Sequence, residues 1–251
     1  MKNAQRLLLC LPLLITLMAC KESAAKYTVG PNADLHGIVF GKKTLSNTDL
    51  TGANLTDSNL NSVDLTGSLL TSADLTRATS NKDTILKRAN LDSAILVNAS
   101  MLATDFSGAS LNGTNLSDAK LAGANFTQAN MRGAVLSGAS LDDAIMASAV
   151  LTSANLEGAN SKQNLNLSDA NLVDAILKSA SLLGSNFTNA SMVRADLSGS
   201  FLGTSDFTGA NLSDAVLAGA SANPTMKMVQ ANLVNAKMML VSFFGADLTN
   251  A

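Results

Sequence analysis

A large apolar residue recurs at every fifth position along most of this chain. Between Ala109 and Leu141 these residues are Leu111, Leu116, Leu121, Phe126, Met131, Leu136 and Leu141. If the large residue is position i, then position i−2 is small and mostly Ala, and positions i+1 and i+2 are small or polar. A spacing of five matches neither the 3.6-residue period of a helix nor the two-residue period of a strand. The chain is therefore an internal repeat, and its fold must be built from one repeated unit.

The repeat extends from Leu35 to Leu248 with three shifts of register. Leu, Met or Phe occupies 40 of the 43 positions i, and the exceptions are Ser80, Ser161 and Ala222. One extra residue follows each exception before the spacing of five resumes. Of the 17 glycines, 14 lie at i+2, where their freedom to adopt positive φ suits a corner.

The pattern Ala-(Asp/Asn)-Leu-x-x over residues 33–251 resembles the pentapeptide-repeat family. The resemblance implies an all-β fold, a right-handed quadrilateral parallel β-helix. Each five-residue step forms one side of a square, four steps form one coil, and positions i and i−2 point inward. The alternation of i−2 and i agrees with the two-residue period of an extended segment. We expect about eleven coils and a rod about 50 Å long.

The register shifts predict where the extra residues lie. Sixteen steps separate Ser80 from Ser161 and twelve separate Ser161 from Ala222, and both numbers are multiples of four. All three insertions should therefore bulge from one edge of the rod. They centre on Lys82 and Asp83, Lys162 and Gln163, and Asn223 and Pro224.

Four phenylalanines fall on one face of this square coil. Phe106 and Phe126 belong to successive coils, as do Phe187 and Phe207, and the two pairs are 81 residues apart. We expect each pair to stack in the core, not to form a ligand cage. The common spacing indicates a duplicated block of four coils plus one inserted residue.

The first twenty residues form a targeting signal. Lys2 and Arg6 precede an apolar stretch over 7–18, which is shorter than the ~20 residues that a transmembrane helix needs. Its end, Leu17-Met18-Ala19-Cys20, resembles the lipobox of bacterial lipoproteins. The resemblance implies removal of residues 1–19 and a lipid anchor on Cys20. Position 21 is Lys and not the Asp that favours inner-membrane retention in enterobacterial lipoproteins, so the periplasmic face of the outer membrane is expected over the inner membrane. A plain secretory signal is the alternative. Residues 20–32 would then form a short tether before the solenoid at 33–251.

The sequence predicts no catalytic, cofactor or metal site. His36 is the only histidine, and Cys10 and Cys20 are the only cysteines, so Cys/His and Ser/His/Asp sets are not available downstream. Asp alternates with Asn and Ser at position i−1, so this position favours a short polar group over the acid–base or calcium chemistry of a carboxylate. Asp142 and Asp143 are the only adjacent carboxylates. A net charge of −2 and the lack of a basic aromatic surface argue against nucleic-acid binding.

Exposed apolar residues are the candidate interaction surfaces. Leu183, Phe201 and Phe244 are assigned to one face of the coil, and Met239 and Leu240 to the apolar last coils. A β-helix end exposes core and unpaired backbone. We therefore expect a homodimer through the C-terminal coils or binding of an envelope protein whose identity the sequence does not give.

A non-enzymatic, membrane-anchored scaffold of the cell envelope accounts best for these features. The alternative is a topoisomerase-binding mimic of DNA, as some members of the family are. The export signal and a net charge of about −4 after removal of residues 1–19 disfavour it. An enzyme with a surface site at Asp142 and Asp143, and a repeat with no selected surface function, remain as further alternatives.

Overall fold

The computed structural model describes residues 27–222, 225–243 and 245–251. The predicted signal segment and Cys20 lie outside the described residues, as do Asn223, Pro224 and Phe244. Within the described ranges, no helix has the length and hydropathy needed to cross a membrane.

The chain winds as a right-handed square β-helix of about eleven coils, as the sequence predicted. Parallel bridges join residues 20 positions apart, or 21 where an insertion intervenes. They run through position i−1 of every step and form four ladders, one on each side of the square. We name them ladder A (Asp34 to Lys237), ladder B (Val39 to Ser242), ladder C (Thr44 to Asp247) and ladder D (Asp49 to Asn232).

Two of four short strands directly precede the first two insertions, and the other two lie one coil later. Strands β1 (Thr79–Ser80) and β2 (Ser100–Met101) pair in parallel, and so do β3 (Asn160–Ser161) and β4 (Ser181–Leu182). All four lie on ladder B. In most steps the chain turns after one bridge, whereas the extra residue lets Ser80 and Ser161 stay extended and form a second one.

Most corners of the square are type II turns. The N–H of Ile38 donates to the carbonyl of Leu35 at 3.2 Å, and Gly37 between them has a φ of 64°. We call i the central residue, i−2 the small residue, i−1 the ladder residue, and i+1 and i+2 the first and second turn residues. The second turn residue has positive φ in coil after coil, which explains why Gly, Asn, Asp and Ser predominate there.

Central and small residues form one continuous core. The rings of Phe106 and Phe126 stack with centroids 4.7 Å apart, and those of Phe187 and Phe207 stack at 4.6 Å. All four side chains are fully buried, so each contributes about 1.5–3 kcal/mol through burial. These rings fill the interior and leave no face open to a ligand.

The insertions exchange small and large residues inside the core. Ser161 occupies a central position that elsewhere holds Leu, and the following small position holds the fully buried Leu165 in place of Ala. The same exchange places Met226 after Ala222, whereas the first insertion has Thr84 after Ser80 and no large apolar residue. Core volume is therefore conserved across the second and third bulged corners, as close packing requires.

The two ends of the described coil differ in how they are covered. Tyr27 packs edge-on against Phe40 at 5.4 Å, and the ammonium of Lys43 lies 4.5 Å from the Tyr27 ring centroid. In the last coil the central residues Met238 and Leu248 are 37% and 40% exposed. Apolar core is thus accessible at the C-terminal coil.

Candidate functional site

The ladder carboxylates and amides complete the backbone hydrogen bonding of the coil. In a regular step, backbone carbonyls accept from the amides of the ladder, central and second turn residues and of the next small residue. The amide of the first turn residue is left over, and the ladder Asp or Asn accepts it. Asp49 Oδ1 accepts from Thr51 N–H at 2.9 Å, and Asn125 Oδ1 accepts from Thr127 N–H at 3.0 Å. These side chains are structural acceptors, which explains why Asp and Asn alternate there.

The pKa values of several ladder carboxyls are held below their usual range. The amide and hydroxyl of Thr51 lower the pKa of Asp49, and the hydroxyl and amide of Thr249 lower that of Asp247. Partial burial raises the pKa of Asp105, but hydrogen bonds from Ser107 and Lys87 outweigh this effect and leave it lowered. Carboxyls shifted in this direction are ionised at neutral pH, opposite to what a general acid requires.

Asp142 and Asp143 hold the second insertion in place. Asp142 Oδ1 accepts from Lys162 N–H at 2.6 Å. Asp143 accepts from the side-chain amides of Gln163 at 3.2 Å and Asn164 at 2.9 Å. This carboxylate pair therefore has a structural function. In the described ranges, no three His, Cys, Asp or Glu side chains are grouped so that they could hold a metal ion.

The three insertions lie at the same corner, between ladders B and C. The flanking ladder residues are Thr79 and Ile85 for the first, Asn160 and Asn166 for the second, and Ser221 and Lys227 for the third. Lys82, Asp83, Lys162 and Gln163 are exposed, and Asn223 and Pro224 lie outside the described residues. The first two insertions thus present polar side chains along one edge of the rod.

The candidate apolar surface divides between two corners. Phe201 on ladder B is 53% exposed, and Leu183, one coil earlier at the corner between ladders B and C, is 38% exposed. Met239 and Leu240 lie at the corner between ladders A and B in the last coil, where they are 74% and 91% exposed. Phe244 is outside the described residues.

Sequence reasoning missed Leu102. It is 42% exposed and follows the first insertion by one coil, as Leu183 follows the second. The signal was available, because Leu102 and Leu183 are separated by the same 81 residues as the stacked phenylalanines.

A shallow depression of about 350 Å³ lies at the corner between ladders C and D, and sequence reasoning missed it as well. Successive coils contribute turn residues to it. Its lining residues are Thr66, Lys87, Arg88, Ser107, Gly108, Thr127 and Gln128. We call it the Arg88 depression. The dipeptide Lys87-Arg88 was the available signal, because it places two cations in one turn.

Comparison with known proteins identifies the family. The family model for pentapeptide repeats matches in eight copies, covering residues 32–67, 44–77, 84–121, 110–146, 129–160 and 166–203. A search of curated proteins returns no significant match. Among solved structures, HetL from Nostoc sp. strain PCC 7120, a protein involved in heterocyst differentiation regulation, is 29% identical over 93% of this chain and 97% of its own, with a TM-score of 0.34.

Two further solved structures are similar to this chain. Rfr23 from Cyanothece 51142 is 28% identical over 45% of this chain and 62% of its own, with a TM-score of 0.33. QnrB1, a plasmid-mediated fluoroquinolone resistance protein, is 19% identical over 84% of this chain and 92% of its own, with a TM-score of 0.35. The family model covers more than half of the sequence, and its repeats coincide with the coils described above. The chain belongs to the pentapeptide-repeat family.

Proposed function

We propose that this protein is a non-enzymatic, lipid-anchored scaffold that binds proteins in the bacterial cell envelope. The observation that supports a scaffold function is that the side-chain oxygens of the ladder Asp and Asn residues accept hydrogen bonds from backbone N–H groups. Those groups are committed to the coil, so recognition falls to exposed side chains on a rigid rod. Such quasi-one-dimensional repeats commonly present extended binding surfaces.

The anchor is proposed from Leu17-Met18-Ala19-Cys20, which follows directly on the apolar stretch. Seven Cα–Cα steps separate Cys20 from Tyr27, which packs on Phe40 in the first coil. That length reaches ~25 Å at most, so a lipid on Cys20 would hold the first coil close to the membrane. The C-terminal coil would then face away from it.

Metabolic labelling with palmitate tests the anchor. We expect label on the wild-type protein and on Cys10→Ala, with loss of label from Cys20→Ala, because only Cys20 would take the acyl chains. Gradient separation of inner and outer membranes should place the labelled protein in the outer membrane. Retention of label by Cys20→Ala would contradict the proposal.

The proposed partner at the C-terminal end is a second copy of the chain. Exposed Met239 and Leu240 follow the accessible central residue Met238 in the chain, and Leu248 of the same last coil is also exposed, so several apolar side chains are presented to solvent at this end. Pairing two such ends would cover both cores and both unpaired backbone edges. Exposed Leu183 and Phe201 remain for a protein of the envelope.

Mimicry of DNA is not favoured by the charge distribution. Asp57 and Asp174 each bind an arginine, Arg77 and Arg194, at 2.6 Å, and Lys87 lies 3.1 Å from Asp105. These partners interrupt what would otherwise be rows of acidic groups. We therefore expect DNA supercoiling by gyrase to be unchanged by the mature protein, and inhibition at stoichiometric amounts would contradict this expectation.

A further inference from the structure

We propose that the Arg88 depression binds a phosphate group. It is a separate site from the anchor and from the apolar surfaces, and it combines open space, unused hydrogen-bond donors and uncompensated positive charge.

The depression exists because a filling side chain is missing at this turn. At the same corner, Asn47 Oδ1 lies 2.6 Å from where a Cβ on Gly67 would be, and Asn189 Oδ1 lies 2.6 Å from that point on Gly209. These amides fill the space above the two glycines. Above Gly108 the residue is Arg88, whose Cγ passes at 3.5 Å and whose long side chain leaves the space open.

Two donors at the depression are unused. In the part of the chain that the structure describes, the guanidinium of Arg88 has no hydrogen bond or ion pair, and the N–H of Lys87 has no acceptor. The neighbouring coils differ, since Ser107 N–H donates to Asp105 at 3.0 Å and Thr127 N–H to Asn125 at 3.0 Å. Lys87 lacks such an acceptor because the ladder residue of its step is Ile85.

The charge of the depression matches an anion. The ammonium of Lys87 is compensated by Asp105 at 3.1 Å, whereas the guanidinium of Arg88 is uncompensated. Arg77 and Arg194, also second turn residues, each contact an Asp of the preceding coil. The corresponding residue above Arg88 is Gly67. A guanidinium fork and a neighbouring backbone N–H suit a tetrahedral oxyanion that accepts several hydrogen bonds at once.

The test is a titration of the full chain in phosphatidylcholine bicelles, followed by amide chemical shifts. One arm adds inorganic phosphate, and the other replaces part of the lipid with phosphatidylglycerol. We expect the Lys87 amide to shift in one arm, which identifies the source as free phosphate or a lipid headgroup. Arg88→Gln should raise the Kd at least tenfold, because it removes the charged donor.

Two further variants keep the result interpretable. Gly108→Asn should abolish binding by filling the space while tolerating the positive φ of that position. Arg194→Gln removes an equal charge from a paired arginine and should leave the Kd unchanged. The proposal is overturned if the Lys87 amide shifts in neither arm, or if Arg194→Gln weakens binding as much as Arg88→Gln does.

Discussion

Ser58 and Ser185 occupy small core positions that elsewhere usually hold Ala. Both are buried, and among the described residues neither hydroxyl has a hydrogen-bond partner. Ser68 and Ser200 occupy equivalent positions, but their hydroxyls donate to Leu65 and Leu197 carbonyls at 2.7 Å. Burial of an unsatisfied hydroxyl costs roughly 1–3 kcal/mol. Comparing serines with and without a hydrogen bond therefore separates the effect of the hydrogen bond on stability from the effect of burying the hydroxyl.

We expect Ser58→Ala and Ser185→Ala each to raise the free energy of unfolding by about 1 kcal/mol. The matched changes Ser68→Ala and Ser200→Ala should be neutral or destabilising by up to about 1 kcal/mol, because each removes a satisfied hydrogen bond. Urea denaturation followed by circular dichroism measures all four. The same effect in both pairs would show that the hydroxyls of Ser58 and Ser185 are satisfied in solution.

The ladder carboxyls make stability sensitive to acid. The hydroxyl and amide of Thr66 lower the pKa of Asp64 in the folded chain from its ordinary value of 3.8. A folded pKa below the unfolded one stabilises the protein above about pH 4, and this contribution is lost as pH falls through the folded pKa. Asn accepts the same backbone hydrogen bond without titrating.

Asp64→Asn should therefore reduce the loss of thermal stability between pH 4 and pH 2, while changing the midpoint little at neutral pH. Thermal melts at a series of pH values test this. The control is Asp83→Asn, which removes a like charge from an insertion and whose carboxylate accepts no hydrogen bond from the described residues. An Asp64→Asn curve parallel to wild type at all pH values would show that this carboxylate contributes nothing to the acid response.

At the scale of the element, the insertions are extra residues that the core accommodates by exchanging volume. Ser161 and Leu165 occupy consecutive inward positions and are both fully buried. The Ser161 hydroxyl also donates to the Gln163 carbonyl at 3.0 Å, which satisfies a peptide group of the bulge. The insertion is thus supported from inside by Leu165 and from outside by Asp142 and Asp143.

Leu165→Ala should lower the free energy of unfolding by about 2–5 kcal/mol, because it leaves a cavity. Ser161→Leu alone should also destabilise by overpacking, by roughly 1–3 kcal/mol. The double variant should cost less than the sum of the two, since volume is restored. The distant pair Ser161→Leu and Leu217→Ala is the additive control. Additivity in both pairs would refute the exchange of volume.

At the scale of the whole molecule, the two ends of the described coil set the direction of the rod. The first coil is covered by Tyr27, and the last exposes apolar core. Leu240 combines 91% exposure with a φ of 60°, a conformation that is unfavourable for Leu and suits Asn. An unfavourable backbone conformation and an exposed apolar side chain therefore coincide where a second copy is proposed to bind.

We expect the wild-type chain to sediment as a dimer and the double variant Met239→Ser/Leu240→Asn to sediment as a monomer of undiminished thermal stability. The apolar contact is removed, whereas Asn relieves the backbone at position 240. Analytical ultracentrifugation in neutral detergent gives the masses. Val39→Asn, at a 71% exposed residue near the opposite end, is the control and should remain dimeric. A monomeric wild type, or a double variant that still dimerises, would exclude this interface.

The amino-acid sequence by itself determined the coil. With a spacing of five residues and with Leu and Ala at alternate inward positions, few folds bury both side chains. The register shifts are separated by multiples of four steps, which predicts four ladders per coil. The fold and its family are confirmed. The anchor on Cys20 and the interface residues stay predictions. The coil and its ladders are periodic, so the separation of two residues along the sequence is enough to predict whether they are neighbours in the coil.

The structure, and not the repeat pattern, shows which hydrogen-bonding and charged groups lack a partner within the regular coil. The ladder Asp and Asn residues are acceptors because one amide per step has no backbone partner, and Asp142 and Asp143 are structural because the second insertion lies beneath them. The guanidinium of Arg88 has no ion-pair partner because the equivalent residue of the preceding coil is Gly67. Arg77 and Arg194 instead have an Asp at that place in the preceding coil. Such neighbours are 20 or 21 residues apart, and their side chains differ from coil to coil. The repeat pattern therefore predicts that two positions are neighbours, but not which side chains form a hydrogen bond or ion pair there.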